Sequence, residues 1–564
     1  MRPVHAILFA LLAPLLSACG GKPEATHSGI LITVDTTNRN ALGLYGEKPR
    51  ITPHLDALAE RCLVYENARA AAPLTLPSHA SMMTGLYPLR HSVRDNGYRP
   101  LPPSATTLAE RARAEGFQTA AFVSAVVLSA PYGLDQGFDV YDAPAGSSSR
   151  DQIHMLERKA GAVTRAALSW LAQRDRNRPF FLWVHYFDPH APYEADPEFV
   201  EQVAGTAPPA IAPYLAEVAQ ADAAIGELLL ALDREKVLED ALLAVVADHG
   251  ESLGRHGEPT HSVFIYDATI RVPLLLHDPG GARAGERSDE QVSVADLFPT
   301  FIRGMGLGEP GPVDGMNLFR ARIPADRGVY FESCSGYLSY GWSPLSGWAD
   351  ARATYLHGSR PELFLADDWP QATNVLPGRE SLAREFRTCI SRLADLPSLE
   401  PADQPGQGEF GKDLMALGYV GGGDARSTVP HPLKVAGLPN PADHLEEMRT
   451  FYNAAVLAGQ GQTGEAIQQL RTLLESSPDN RLAADVLGRL LFDQERFTEV
   501  IDLLTPRVQQ GAERKLTVTL LALSLDRVGQ ARQALELLER GATLWPDDPD
   551  FQTNAARLRA QLDR

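Results

Sequence analysis

Asp248 and His249 place a carboxylate beside an imidazole, a hard oxygen and a borderline nitrogen that together suit a divalent cation. Gly250 and Gly254 follow and permit tight turns, so that His256 and His261 could return to the same point. Residues 242–247 read Leu-Leu-Ala-Val-Val-Ala, the continuous apolar run of a strand buried on both faces. Asp248 therefore emerges at the carboxyl end of a strand, where open α/β sheets place their sites. By the same logic residues 29–34 form a buried strand that delivers Asp35. Taken alone, the 248–261 stretch could also be a capped strand and loop without chemistry, the lesser reading, and the rest of the chain weakens it further.

The elements that would position these residues alternate. Residues 108–115 are expected as helix and 118–124 as extended chain, then 161–173 as helix, with Val163, Ala167, Trp170 and Leu171 at helical spacing. Residues 179–186 form a strong strand pattern, and 214–232 an amphipathic helix leading back to the Asp248 strand. This order predicts an α/β fold, a mostly parallel sheet with helices on both faces. Between residues 396 and 440 the composition shifts to Pro, Gly, Asp and Gln, which predicts a linker. Beyond it, Glu465-Ala466-Ile467, Glu499-Val500-Ile501 and Gln533-Ala534-Leu535 recur every 34 residues. That period resembles the tetratricopeptide repeat, so residues 441–564 are expected to form an all-α module with a concave surface suited to a peptide or partner protein.

A chain of 564 residues has room for more than one domain. The formal net charge of −19 argues against nucleic acid or an anionic membrane surface as ligand. Arg2 and His5 precede an apolar stretch, residues 6–16, too short to span a bilayer, as in a secretion signal. Leu16-Ser17-Ala18-Cys19 resembles the lipobox of bacterial lipoproteins, which makes Cys19 the lipidated residue, residues 1–19 the signal and 20–28 a tether. Gly20 after it implies, in a Gram-negative cell, the outer membrane: a periplasmic, cell-envelope protein held to the membrane by its lipid alone. A plain cleavable signal with an incidental cysteine is the alternative. Cys62, Cys334 and Cys389 are too few for a disulfide scaffold, though one bridge could form.

The ordered motifs of residues 29–380 resemble a sulfatase-type domain of the alkaline phosphatase superfamily. They are Ile32-Thr33-Val34-Asp35-Thr36, Thr52-Pro53-His54-Leu55-Asp56 and Pro73-Leu74-Thr75-Leu76-Pro77-Ser78-His79-Ala80-Ser81. His185-Tyr186-Phe187-Asp188-Pro189-His190-Ala191-Pro192-Tyr193 and Asp248-His249-Gly250-Glu251 follow. Arg271-Val272-Pro273 and Asp296-Leu297-Phe298-Pro299-Thr300 come next, and Pro361-Glu362-Leu363-Phe364 with Asn374 echoes the family's C-terminal subdomain. The catalytic domain is therefore expected over residues 29–395. The resemblance puts Thr75 at the nucleophile position; Pro77 suits the first turn of a helix and Gly85 its end. A threonine there also suits a helix N-cap, and both roles can hold.

The departures carry information. Typical sulfatases have Cys or Ser at this position, converted to formylglycine, followed by Pro and Arg. Here threonine, which is no recognised precursor of that aldehyde, occupies the position, and His79 replaces the arginine. Threonine is similar instead to phosphoethanolamine transferases and lipoteichoic-acid synthases, in which it takes up a phosphoryl group. Thr36 replaces the second aspartate of the sulfatase pair, and Asn38 and Asn40 replace an arginine and an aspartate usual after Asp-Thr.

Asp35, Thr75, Asp248 and His249 then give three oxygens and one nitrogen, a set for zinc or manganese. Calcium, which normally takes six to eight oxygens, is the third option. His190 and His261, whose motifs match, are expected to serve catalysis, and His79, Asn96, His185 and His256 to contact substrate; a lone histidine is more often structural, His185 and His256 read equally well either way, and Asn96 also reads as a turn residue. The expected activity is metal-dependent hydrolysis of a sulfuric or phosphoric ester, on a small molecule, glycan or lipid, through Thr75. A phosphoethanolamine-type transferase, and an idle domain beside a protein-binding repeat scaffold, are the alternatives.

Overall fold

The computed structural model describes residues 27–46, 51–97, 99–144, 158–205, 207–319, 323–402, 429–511, 514–546 and 548–563. The expected signal, Cys19 and most of the tether lie outside them, as does most of the expected linker.

Eight strands build the main sheet: β1 (Ser28–Val34), β2 (Leu63–Arg69), β3 (Gln118–Phe122), β4 (Val140–Asp142), β5 (Phe180–Tyr186), β6 (Ala241–Ala247), β7 (Arg271–His277) and β8 (Arg287–Ser293). Their order is β4-β3-β5-β1-β6-β7-β2-β8. Every pairing is parallel except those of β7 with β6 and β2, which are antiparallel. The sheet is thus mostly parallel, with one reversed strand that the apolar run of residues 271–277 could not reveal, since periodicity carries no direction.

The central strands are apolar throughout because both faces are covered. Leu31, Phe181, Trp183, Leu242, Ala244 and Val246 enter one core, beneath the helices Thr75–Thr84, Leu108–Ala114 and Leu297–Gly304. Ile30, Ile32, Leu182, Val184, Leu243 and Val245 enter the other, beneath Pro53–Ala59, Ala160–Gln173 and Ala212–Arg234. Each buried Leu, Ile, Val or Phe among them contributes about 1.5–3 kcal/mol through burial.

A second, antiparallel sheet has the order β12-β11-β10-β9, formed by β9 (Val329–Ser333), β10 (Leu345–Ala349), β11 (Ala353–His357) and β12 (Glu362–Leu365). Of these strands only β12 was marked by a sequence motif. Helices then open at Thr463, Phe497 and Ala531, and their partners at Arg481, Lys515 and Pro549, a step of 34 residues each time. The described flanks of the expected linker lie on the catalytic region: Leu399 N–H donates to Arg90 O at 2.7 Å, and Ser343 N–H to Pro439 O at 2.8 Å. Cys62, Cys334 and Cys389 are free thiols. No described helix is long and apolar enough to cross a membrane.

Candidate active site

Strand parity decides which side chains meet. Asp35 continues the Leu31–Thr33 face of β1, His185 the Phe181–Trp183 face of β5, and Asp248 the Leu242–Val246 face of β6. Val34 is in register with both Tyr186 and Ala247, so the three polar residues leave the sheet side by side, on the face covered by the helix Thr75–Thr84. Thr75 is the first residue of that helix; Leu74, with extended backbone, is the N-cap, so Thr75 is not one. Gly85, at φ 72°, ends the helix in the left-handed conformation that glycine permits.

The hydroxyl of Thr75 is 3.5 Å from Asp35 Oδ2 and 3.5 Å from His249 Nε2. His249 Nε2 is in turn 3.6 Å from Asp35 Oδ1 and 3.6 Å from Asp248 Oδ2. All four residues are fully buried. Four donors about 2.1 Å from a tetrahedral centre lie about 3.4 Å apart, so the spacing fits one small cation.

Electrostatics point the same way. Asp35 lies within ion-pair range of His185 and His249, and Asp248 within that of His79 and His249, at 3.5–3.7 Å. Burial pushes the His79 ring down to about 4 and holds those of His185 and His249 well below the usual range. The imidazoles are therefore neutral near pH 7. Burial accordingly pushes Asp248 up to about 8, against hydrogen bonds donated by His249 N–H and Thr36 N–H. Asp35, Asp248 and His249 could hold a divalent cation, which would keep both carboxylates in their charged form.

His79 lies beneath this cluster. Its Nδ1 is 2.8 Å from Thr75 O, a carbonyl that only accepts, so Nδ1 carries the proton. Nε2 is 3.0 Å from Thr33 Oγ1, which already receives the Trp183 indole N–H, so the threonine hydroxyl donates to the ring. With both nitrogens satisfied, His79 locks the first helical turn and has no lone pair for a metal or proton for a substrate. His185 stacks on it at 4.9 Å, and neither of its ring nitrogens has a hydrogen-bond partner.

The opposite wall is carried by loops. His261 lies 4.6 Å from the His249 ring and 5.1 Å from that of His190. Its Nδ1 is 3.4 Å from both carboxylate oxygens of Glu251, which also accepts the Tyr193 hydroxyl at 3.1 Å. That arrangement orients the ring and leaves Nε2 for the site. Asn96 Oδ1 accepts Leu76 N–H at 2.9 Å, and its buried Nδ2 has no partner. His256 is not brought to the cluster: its ring stacks on Tyr266 at 3.7 Å, and Nε2 bonds to Pro370 O.

Three supporting residues were not legible as such. Thr36, at φ 46°, uses its N–H to hold Asp248 Oδ1 at 3.2 Å and its hydroxyl to hold Pro189 O, beside His190, at 2.5 Å. Asn38, read as a departure from a pattern, donates to Glu251 O and Ala268 O and so fixes the loop after His249. Gly250 approaches Ala268 so closely that a Cβ would lie 2.4 Å from its carbonyl oxygen. The signal for Gly250 was present in the Asp-His-Gly motif; for Thr36 and Asn38 there was none, because their partners are a carboxylate and loop carbonyls far along the chain.

The site is thus a buried threonine hydroxyl set among strand-end carboxylates at the amino end of a helix, on an α/β fold. The Sulfatase family profile matches residues 28–307. Steryl-sulfatase from Rattus norvegicus is 25% identical over 468 residues, covering 62% of this chain and 80% of its own. Ulvan-active sulfatase from Formosa agariphila is 26% identical over 358 residues, covering 56% and 70%. Among solved structures, that of Ps i-CgsB in complex with k-i-k-neocarrahexaose superposes with a TM-score of 0.57 at 21% identity, over 66% of this chain and 93% of that one. The phosphonate monoester hydrolase of Agrobacterium radiobacter gives 0.53 at 21% identity, over 65% and 95%. Residues 28–307 belong to the sulfatase family, and the protein is a sulfatase-family hydrolase.

Proposed function

We propose that this protein hydrolyses a sulfuric or phosphoric ester through Thr75, without a formylglycine. One observation carries the reading: the Thr75 hydroxyl lies 3.5 Å from both Asp35 and His249, beside a buried pair of strand-end carboxylates. Asp35, Thr75, Asp248 and His249 would hold the cation, zinc or manganese by donor set with calcium as the third option, and the bound ion would lower the hydroxyl pKa and offset oxyanion charge. Thr75 Oγ1 then forms its bond to sulfur or phosphorus as the ester oxygen departs. Asn96 Nδ2 and the helix amino end receive the non-bridging oxygens. His261, oriented by Glu251, gives the leaving oxygen a proton, with His190 against it. Water cleaves the threonine ester, and the hydroxyl regains its proton.

A transferase reading, in which another hydroxyl or an amine resolves the threonine ester, draws support from the same threonine. The idle-domain reading loses ground, because all four candidate ligands converge. We further propose that the C-terminal helices are tetratricopeptide-type repeats, on their 34-residue step, and that Cys19 anchors the protein to the outer membrane from the periplasmic side. A protein partner, if the repeats hold one, takes a surface away from the catalytic region.

The test is a panel of nitrophenyl sulfate, phosphate monoester and phosphodiester, with protein reconstituted with zinc, manganese or calcium. Metal-dependent release of nitrophenol from at least one ester is expected, at a rate that added alcohols or amines leave unchanged. Acceptor-dependent release would favour the transferase, and no release from any ester the idle domain.

A further inference from the structure

The C-terminal helices rest directly on the catalytic region. Met448 of the helix Leu445–Gly459 belongs to the main core, and Leu445 covers Gly257, in the loop that leads to His261. The His444 ring stacks on Trp342 at 5.0 Å, and Phe451 meets Tyr340 edge-on at 6.2 Å. What the helices grip is the segment of residues 332–342, in which Gly336–Tyr340 winds as a π-helical turn.

The grip centres on Arg514, a guanidinium only 3% exposed. Its Nη1 donates to Leu338 O at 3.0 Å, while Nε lies 2.6 Å from Asp485 Oδ2. Asp485 is itself held by the Thr517 hydroxyl at 2.5 Å. The other end of the segment is tied to the active site twice. Glu332 is paired with both Arg94 Nε and Nη2, the latter at 2.7 Å, and receives the Tyr330 hydroxyl at 2.6 Å. The Ser333 hydroxyl donates to Ser262 O, next to His261. Arg94 directly precedes Asp95 and Asn96, and Asp95 Oδ1 accepts Asn96 N–H at 2.8 Å. Burial pushes Asp95 up to about 7, against the Asn96 N–H and the charge of Arg514, so the guanidinium also reaches this corner electrostatically.

We propose that Arg514 is a positioning residue for the ester-cleaving site: by pinning Leu338 it fixes, through Glu332 and Arg94, the corner that aims Asn96 Nδ2 at the substrate oxygens. The C-terminal helical region is then a working part of the enzyme, and part of its surface is occupied by the chain's own segment. The inference rests on the proposed function, since Asn96 matters only if an ester anion binds there.

A double-mutant cycle on the full chain tests it, read as kcat on whichever ester the wild type turns over. Arg514→Ala should lower kcat about tenfold with KM within about twofold, since the lost alignment acts in the transition state. In the Asn96→Ala background the same change should cost less than about twofold. An equal loss in both backgrounds is what a merely structural role gives, and it overturns the proposal, as does an unchanged kcat in Arg514→Ala. If Arg514→Ala does not fold, Arg514→Lys replaces it: it keeps the charge but cannot hold Leu338 and Asp485 as a fork, and the same non-additivity is expected at smaller amplitude. Failure of the threonine mechanism would show separately, as turnover retained by Thr75→Ala, and would leave the cycle readable.

Discussion

The two edges of the central sheet obey opposite electrostatic rules. At the amino edge a cleft of about 340 Å³ is lined by His27, Arg61, Arg283 and Arg303. Each has a carboxylate partner: Asp240 at 2.7 Å, Asp233 at 2.9 Å, Glu286 at 2.9 Å and Glu309 at 2.5 Å. At the carboxyl edge Asp35 and Asp248 are fully buried and face imidazoles that burial keeps neutral. The open cleft pairs each of these cations with a partly exposed carboxylate; the tighter cluster sets two buried carboxylates against neutral rings. Buried carboxylates with shifted neighbours, rather than open volume, mark the candidate site.

The comparison can be broken or sharpened in order of effect. Thr75→Ala should lower kcat by at least about 10³-fold, with an unchanged circular dichroism spectrum. His261→Ala should cost about 10²-fold, and more on esters with poor leaving groups, as a plot of rate against leaving-group pKa would display. Exhaustive chelation should lower Tm by a few degrees, because a cation held at a hundred times its Kd stabilises by about 2.7 kcal/mol. Asp248→Asn, already lacking a ligand, should show less than half of that calorimetric shift. Arg61→Ala or Arg303→Ala, at the balanced edge, should leave kcat within about twofold and stability within about 1 kcal/mol, since exposed ion pairs contribute little. A hundredfold loss of activity from either arginine would reverse the assignment of the two edges.

What could be read from the chain follows from periodicity. Asp35 and Asp248 terminate apolar runs, and a strand's alternation fixes which face they leave by, so their meeting was legible. Thr75 was legible as a motif residue, though its place as the first helical residue was not. Loops carry no such rule: His256 and His261 are five residues apart, yet the backbone at His256, with φ 52°, sends one ring to Tyr266 and leaves the other beside His249. The Thr36 N–H and the Asn38 side-chain amide reach groups more than 200 residues away, and no local pattern points to those partners. The link from Arg514 to Leu338 joins positions 176 residues apart, and nothing in either local pattern points to the other.

The central claim is that a single cation joins two strand ends to a threonine hydroxyl, and its most direct test is turnover measured against bound metal. Metal-free protein titrated with zinc or manganese should gain activity in proportion to the ion bound, reaching a plateau at about one equivalent per chain. Full activity in protein that elemental analysis shows to be free of metal would contradict it.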